Sequence, residues 1–179
     1  ENGTVRRYHL HDGLASLDYN IFSFKKTSSG RIAFGSVNGL NLFHPDSIKD
    51  INSLAKPVIS EVLINGDPNI ALPDSCPETG AKNISYFELL TLKYAHNDLD
   101  IYFGSREYSD PQNNRFKYRR YQTNRHYAEN ENAPWTMNPK FVNFARFEDM
   151  QPGYYIFEVE ASNSDGKWSD DPKMLKIRI

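Results

Sequence analysis

The tetrapeptide His9-Leu10-His11-Asp12 comes closest to metal-site chemistry in this sequence. If it lies on a strand, its two imidazoles are two residues apart and share one face. Zinc requires three or four protein ligands, and the other three histidines lie far away along the chain. We therefore interpret these residues as polar side chains at a strand end, and we predict no metal and no cofactor.

Catalytic signatures are also missing from the sequence. It contains no nucleophile elbow, no glycine-rich phosphate loop and no His-Glu-x-x-His segment. The carboxylates are scattered, and no spacing singles out an acid/base pair. The formal net charge of -2 gives no global field that would attract nucleic acid or an anionic membrane. We predict that this chain is not an enzyme and that it binds no nucleic acid.

Basic and aromatic residues are interleaved between positions 115 and 127, a mixture that can hold stacked sugars or bases. The residues are Arg115, Lys117, Arg119, Arg120 and Arg125, alternating with Phe116, Tyr118, Tyr121 and Tyr127. The alternative is a sandwich strand with a cationic outer face. If a surface here binds a ligand or partner, we expect it beside the loop 123–133. That surface comprises Tyr121, Arg125, Tyr127 and Tyr154.

The elements that position these residues are predicted to be short strands. Apolar residues alternate with polar ones in several segments, which is typical of strands with one buried face. The predicted strands lie in segments 30–35, 40–43, 58–64, 86–92, 99–103, 116–119, 154–161 and 175–179. Asn38-Gly39 predicts a hairpin turn in which both residues have positive φ. Pro57 is expected to open a strand, and residues 67–83 are expected to form a loop.

Strands and turns at this density predict an all-β, immunoglobulin-like or fibronectin-type-III-like sandwich over residues 56–179. Residues 1–55 show one clear hairpin, which is marginal in water by itself, so they pack on the sandwich or belong to a larger sheet. No apolar run approaches 18 residues, so nothing in the sequence spans a bilayer. The single cysteine, Cys76, allows no internal disulfide. Both ends of the sequence are expected to be cuts through a longer polypeptide.

The segment from Gln151 to Asn163 resembles the penultimate strand of fibronectin-type sandwiches. With its flanks it resembles more closely the Y_Y_Y domain, a family that follows the regulatory propeller of bacterial two-component sensors. The matching positions are Tyr118, Trp135, Phe147, Pro152, Gly153, Tyr155 and Trp168. Phe147 stands where the family has its second tyrosine, so a hydrogen bond from that hydroxyl is absent. Residues 120–122 depart from the family's Leu-Glu-Gly, and residues 123–133 are an insertion.

The segments 8–14, 29–35 and 38–45 resemble the last repeat of the regulatory propeller. The resemblance therefore implies a propeller remnant at 1–55 and a Y_Y_Y sandwich at 56–179. It also implies the periplasmic part of an inner-membrane receptor, with a transmembrane helix downstream and a histidine kinase or diguanylate cyclase (GGDEF) output. The ligand, a glycan or other small molecule, would be bound mainly by the propeller. The alternative is a carbohydrate-binding or adhesive sandwich module.

Within such a sandwich, the three aromatic positions Tyr118, Phe147 and Tyr155 are interpreted as packing residues and not as a ligand site. Pro152-Gly153 is expected to make a tight corner in which the glycine has positive φ. Trp135 and Trp168 are expected to cap the two ends of the core, and Asp165-Gly166 to form a hairpin turn. Tyr154 and Ile156 are expected on the wet side of their strand, which motivates the hypothesis of a homodimer.

Overall fold

The computed structural model describes residues 8–49, 54–67, 84–108 and 111–179, and these residues form strands joined by turns and short 3-10 helices. Among them, no helix is long and apolar enough to cross a membrane. The strands are β1 (Tyr19–Lys26), β2 (Ile32–Ser36), β3 (Gly39–Phe43), β4 (Pro57–Ile64), β5 (Leu89–Thr91), β6 (Leu99–Ser105), β7 (Arg115–Thr123), β8 (Thr136–Met137), β9 (Phe144–Phe147), β10 (Tyr154–Ser162) and β11 (Lys173–Arg178). The all-β prediction is confirmed.

The chain divides into two compact units, Glu1–Ile51 and Asn52–Ile179. This division lies close to the predicted boundary between residues 55 and 56. The assignment of the first unit to a propeller stays a prediction. Most of the predicted loop 67–83 lies outside the described residues, as does Cys76.

The first unit contains a three-stranded antiparallel sheet in the order β1-β2-β3. The predicted hairpin is confirmed, but its turn is one residue earlier than expected, because Ser36 pairs with Gly39. Gly39 has a φ of 146°, and Asn38 is not at positive φ. The Oγ of Ser36 donates to the carbonyl of Gly39 over 2.9 Å, which stabilises this register.

Strand β1 was not predicted, because its apolar residues do not alternate strictly and its pairing with β2 shifts register between Tyr19 and Phe24. Its side chains are unusually exposed for their type: 82% for Ile21, 92% for Phe22 and 65% for Phe24. Leu40 on β3 is likewise 63% exposed. The sheet therefore presents a large apolar surface that no other described element of the first unit covers.

The second unit is a sandwich of two sheets. One sheet has the order β4-β6-β9, and the other has the order β5-β11-β10-β7-β8, with β5 parallel to β11. Their facing side chains form the core; those that are completely buried include Ile59, Ile101, Phe103, Phe157, Val159, Leu175 and Ile177. The segment 86–92 is mostly not a strand, since a 3-10 helix at Ile84–Tyr86 precedes the short β5.

Pro57 and Ile179 lie at opposite ends of this sandwich. At the proximal end, Pro57 at the start of β4 pairs with Ser105, and Arg115 pairs with Ser162 at the end of β10. At the distal end, the amide of Gly153 donates to the carbonyl of Ile179 over 3.1 Å, and the amide of Ile179 donates back over 3.0 Å. Strands β7 and β10 are paired along their whole length and therefore run between the two ends.

Candidate functional site

The three aromatic residues that carry the resemblance lie in the core and at its distal edge. They are Tyr118, Phe147 and Tyr155. Phe147 presents its ring to Tyr118 at a centroid distance of 5.9 Å, and Phe157 lies 6.0 Å from both. The Arg120 guanidinium covers the ring of Phe147 at 4.6 Å and that of Tyr155 at 5.5 Å. Edge-to-face rings at these distances stabilise a core beyond the area that they bury. The geometry is that of packing, with no open cleft between the rings.

The corner before β10 is closed by Tyr155. Its hydroxyl donates to the carbonyl of Gln151 over 2.7 Å, the arrangement known as a tyrosine corner in immunoglobulin-like sandwiches. The prediction of a positive φ at Gly153 is wrong, since Asp149 is the residue of this corner with positive φ, at 50°. A Cβ at Gly153 would lie 3.0 Å from the Gln122 amide nitrogen and 3.5 Å from the Tyr155 ring, so a larger residue there requires the Gln122 side chain to shift.

The prediction that Trp135 and Trp168 cap the two ends of the core is wrong. Both lie on the outer face of the five-stranded sheet, where the Lys117 ammonium is 4.7 Å from the Trp135 ring and 4.9 Å from the Trp168 ring. The Arg119 guanidinium lies over Trp135 as well, at 4.5 Å. The cations of β7 attract the faces of the indole rings, which explains why the tryptophans lie on this side. The predicted turn at Asp165-Gly166 is confirmed, with Gly166 at a φ of 78°.

The outer face of β10 is covered, so the prediction that Tyr154 and Ile156 are on a wet surface is wrong. Ile156 is completely buried in a second small cluster with Tyr121 and Ala133. Ala133 belongs to the loop that follows β7, and this loop folds back over the sheet. Tyr154 is half-buried and receives the edge of the Tyr127 ring at 5.6 Å. The insertion at 123–133 is therefore a lid on the second face of the sheet.

A buried ion pair lies under this lid. The Arg119 Nε donates to the Glu158 carboxylate, and the exposed fractions of the two side chains are 10% and 2%. The same guanidinium donates to the carbonyl of Glu131 over 2.9 Å, and the Tyr121 hydroxyl donates to Glu158 over 3.2 Å. The neighbouring pair, Lys117 and Glu160, is 2.7 Å apart. Lys117 and Arg119 of β7 are thus neutralised across the sheet and do not form a free cationic surface.

Glu158 and Glu160 were not predicted to be ion-pair partners, although their spacing in the sequence is a signal for this role. Glu158 and Glu160 alternate with apolar residues on β10, as Lys117 and Arg119 do on β7. Their register could not be predicted without the pairing of the two strands. In the structure, Glu158 lies directly opposite Arg119, and Glu160 directly opposite Lys117.

The surface predicted at Tyr121, Arg125, Tyr127 and Tyr154 is largely unavailable to a ligand. Tyr121 is only 9% exposed, and burial raises its pKa above the ordinary value of 10.0. Burial also raises the pKa of Tyr127, whose hydroxyl has no partner among the described residues. Arg125 is exposed, and its Nε donates to the Nε2 of His126 over 3.0 Å.

The segment around His9 is not a strand, contrary to prediction. Leu10–Asp12 is a 3-10 helix, and the His9 amide donates to the Asp12 carboxylate over 2.7 Å, which caps the helix. In the described part of the chain, no three His, Cys, Asp or Glu side chains are grouped so that they could hold a metal ion.

A third charged pair lies on the outer face of the β4-β6-β9 sheet. Arg146 on β9 donates twice to Asp100 on β6, over 2.6 and 2.9 Å, and Asp100 is 7% exposed. The hydrogen bonds from the guanidinium raise the pKa of Arg146 further above its ordinary value. This bidentate pair fixes β9 against β6.

The fold and these contacts define an immunoglobulin-like sandwich with an aromatic core and a tyrosine corner. Residues 107–179 match the model of the Y_Y_Y domain, so the resemblance found in the sequence is confirmed over that segment. The match is to the Y_Y_Y domain and not to a catalytic domain.

Further proteins are similar to this chain in sequence or in fold. The chain is 25% identical over 172 residues to histidine kinase P4 of Formosa agariphila, and it spans 12% of that protein. It has the fold of the extracellular domain of the hybrid two component system BT3049 from B. thetaiotaomicron, with a TM-score of 0.67 and 23% identity over 96% of this chain and 22% of that one. The extracellular domain of BT4673 from the same organism has a TM-score of 0.54 and 20% identity, over 92% of this chain and 21% of that one.

Proposed function

We propose that this chain is a signal-relay module in the extracytoplasmic, periplasmic part of a bacterial sensor receptor. The observation that carries the proposal is the path of the chain, which enters the sandwich at Pro57 and reaches Ile179 at the opposite end. Between these ends lies a body whose two sheets share one main core, so a displacement at one end moves the other end with it. The match to the Y_Y_Y domain and the names of the relatives support this role.

The proposal also concerns the segments that precede and follow the sandwich in the receptor. The exposed apolar side chains of the β1-β2-β3 sheet support a propeller remnant, because a propeller blade is covered on both faces by its neighbours. A downstream transmembrane helix in the inner membrane would receive the displacement. The relative named histidine kinase P4 favours a kinase output, and a diguanylate cyclase is the alternative.

The relay role can be tested in the full-length receptor by making the connection after Ile179 flexible. A flexible Gly-Ser-Gly-Ser insertion directly after Ile179 would uncouple the distal end from the next segment, so we expect ligand-dependent output to be lost. The matched control is the same insertion in the exposed turn at Gly166, which is expected to leave output intact. Output is read from a reporter gene, and receptor amount is read by immunoblot. Equal signalling by both variants would contradict the relay role.

Homodimerisation of the receptor also stays a proposal, but Ile156 no longer motivates it. That side chain is completely buried beneath the loop after β7 and cannot contact a second copy. Sedimentation of the purified chain at high concentration tests association directly. A concentration-dependent dimer supports the proposal, and a monomer throughout counts against it for this part of the receptor.

A further inference from the structure

Strands β4 and β11, the first and last strands of the sandwich, both run from its proximal end to its distal end. Strand β4 begins at Pro57, which pairs with Ser105 at the proximal end. Strand β11 ends at Arg178, which pairs with Tyr154 at the distal end. A pull that holds Pro57 and draws Ile179 away therefore acts on the start of one strand and on the end of the other. It loads both strands along their own direction.

The direction of a load decides how many hydrogen bonds resist it. The bonds of an antiparallel ladder lie perpendicular to the strands. A pull along a strand must therefore shear all the bonds of its ladder together, because the strand slides as one piece. A pull across the strand opens the pairs one after another, starting at the loaded end. The same ladder therefore resists the first kind of load better than the second.

Strand β11 is hydrogen-bonded on both sides, so a pull on Ile179 is resisted by two ladders. On one side it pairs with β10 along its whole length. On the other side, the Lys176 amide donates to the Glu88 carbonyl over 2.9 Å, and the Leu92 amide donates to the Arg178 carbonyl over 2.8 Å. The two reciprocal bonds of Ile179 at the distal corner, 3.1 and 3.0 Å long, continue the ladder to the last residue.

The core side chains of β11 prevent its ladders from sliding gradually. Leu175 and Ile177 point into the core and are completely buried. A slip by one residue would turn both side chains to the outer face of the sheet, because successive side chains of a strand alternate between faces. A slip by two residues would move Ile177 beyond its present place at the core. Each step along the strand therefore costs apolar burial as well as hydrogen bonds.

Strand β4 is held in its sheet in the same manner. It pairs with β6 on either side of a register shift that follows Ile59. The ladder continues at both ends, since the Arg106 amide donates to the Lys56 carbonyl over 3.0 Å and the Asn65 amide donates to the Asp98 carbonyl over 2.9 Å. Ile59 is completely buried, so β4 also loses apolar burial if it slides.

We propose that the sandwich is a direction-dependent mechanical clamp. It carries tension between Pro57 and Ile179 by shear of β4 and β11, and it opens at a lower force when it is loaded across the strands. The main core joins the two strands, since it contains Ile59 of β4 and Ile177 of β11, so the load passes from one sheet to the other through packed side chains. The clamp follows from the strand topology and does not depend on the relay role.

The test is unfolding of the 179-residue chain in optical tweezers, with the handles attached to two introduced cysteines. Cys76→Ser is made in every variant, so that only the introduced thiols react. The axial variant carries Lys56→Cys and a cysteine added after Ile179, which leaves the first unit outside the load path. The transverse variant carries Glu148→Cys and the same added cysteine, so both handles are at the distal end. Lys56 and Glu148 are both exposed, so neither change removes a packed side chain.

The two variants are compared at one pulling speed. We expect the mean unfolding force of the axial variant to be roughly twice that of the transverse variant or more, because the bonds of a sheared ladder share the load. Urea denaturation is expected to give both variants the same free energy of unfolding, so the difference in force reports the direction of the load alone. Equal forces, or a higher force for the transverse variant, would overturn the clamp. The reporter-gene experiment tests the relay role separately, so the two proposals can fail independently.

Discussion

Single hydrogen-bonding groups determine how the distal corner and the outer face are held. The Tyr155 hydroxyl closes the corner at Gln151, and the Glu158 carboxylate joins Arg119 to the Tyr121 hydroxyl. Each of these groups is removed from water, so its partner cannot be replaced by solvent when it is lost. The consequences of removing them are therefore larger than for the same changes at an exposed site.

Tyr155→Phe removes the corner hydrogen bond and leaves the ring in place. We expect the free energy of unfolding to fall by about 1 kcal/mol, the usual contribution of such a bond. Urea denaturation measures it. Tyr154→Phe is the matched control, since its hydroxyl has no hydrogen bond among the described residues. A loss of equal size in both variants would contradict the role of the corner.

Glu158→Gln removes one partner of the buried pair and leaves the Arg119 charge uncompensated. We expect a loss of about 3 kcal/mol, as for other buried pairs that lose one member. Glu160→Gln breaks the more exposed pair with Lys117 and is expected to lose about 1 kcal/mol or less. Urea denaturation measures the loss in the free energy of unfolding for both variants. An equal loss in the two, or a larger loss for Glu160→Gln, would contradict a larger contribution of the buried pair to stability.

The raised pKa values of Tyr121 and Tyr127 predict a stability change at high pH. The unfolded chain releases these protons near the ordinary pKa of 10.0, and the folded chain holds them to higher pH. Their contribution to stability is therefore complete below pH 10 and lost progressively above it. Urea denaturation from pH 9 to 11.5 measures this slope. Tyr121→Phe is expected to reduce the slope, and an unchanged slope would contradict the assignment.

At the scale of elements, the unusual feature is the lid between β7 and β8. It converts a strand with one wet face into a strand buried on both faces, where Ile156, Glu158 and Phe157 are all inaccessible. Replacing residues 124–133 by a short Gly-Ser linker should expose Ile156 and increase binding of the dye ANS. The same replacement of the exposed turn residues 165–167 is the control, and equal dye binding by the two variants would contradict the lid.

The elements also show which parts of the fold the sequence can predict. Strands β4, β6, β10 and β11 follow from alternation, and the turn at Gly166 follows from Asp-Gly, because these signals are local. The covered face of β10 could not be predicted, since Ile156 is buried by Ala133, a residue that no local pattern connects to it. Strand β1 was missed for a different reason: its apolar residues do not alternate strictly, and its pairing with β2 shifts register between Tyr19 and Phe24.

The candidate sites also differ in how far the sequence predicts them. The packing role of Tyr118, Phe147 and Tyr155 was predictable, because the resemblance placed all three on core faces. The buried pair of Arg119 and Glu158 was not, since the two residues are distant in sequence and face each other only through the pairing of β7 with β10.

At the scale of the whole molecule, the account depends on the sandwich moving as one stiff body between Pro57 and Ile179. Native-state hydrogen exchange across a urea series tests this most directly, at the amides of Ala161 near the proximal end of β10 and Ile156 near its distal end. The account predicts that both amides exchange only through global unfolding, with opening free energies equal to that measured by denaturation. If either end opens well below the global value, the sandwich is not a rigid connection, and the relay role is contradicted.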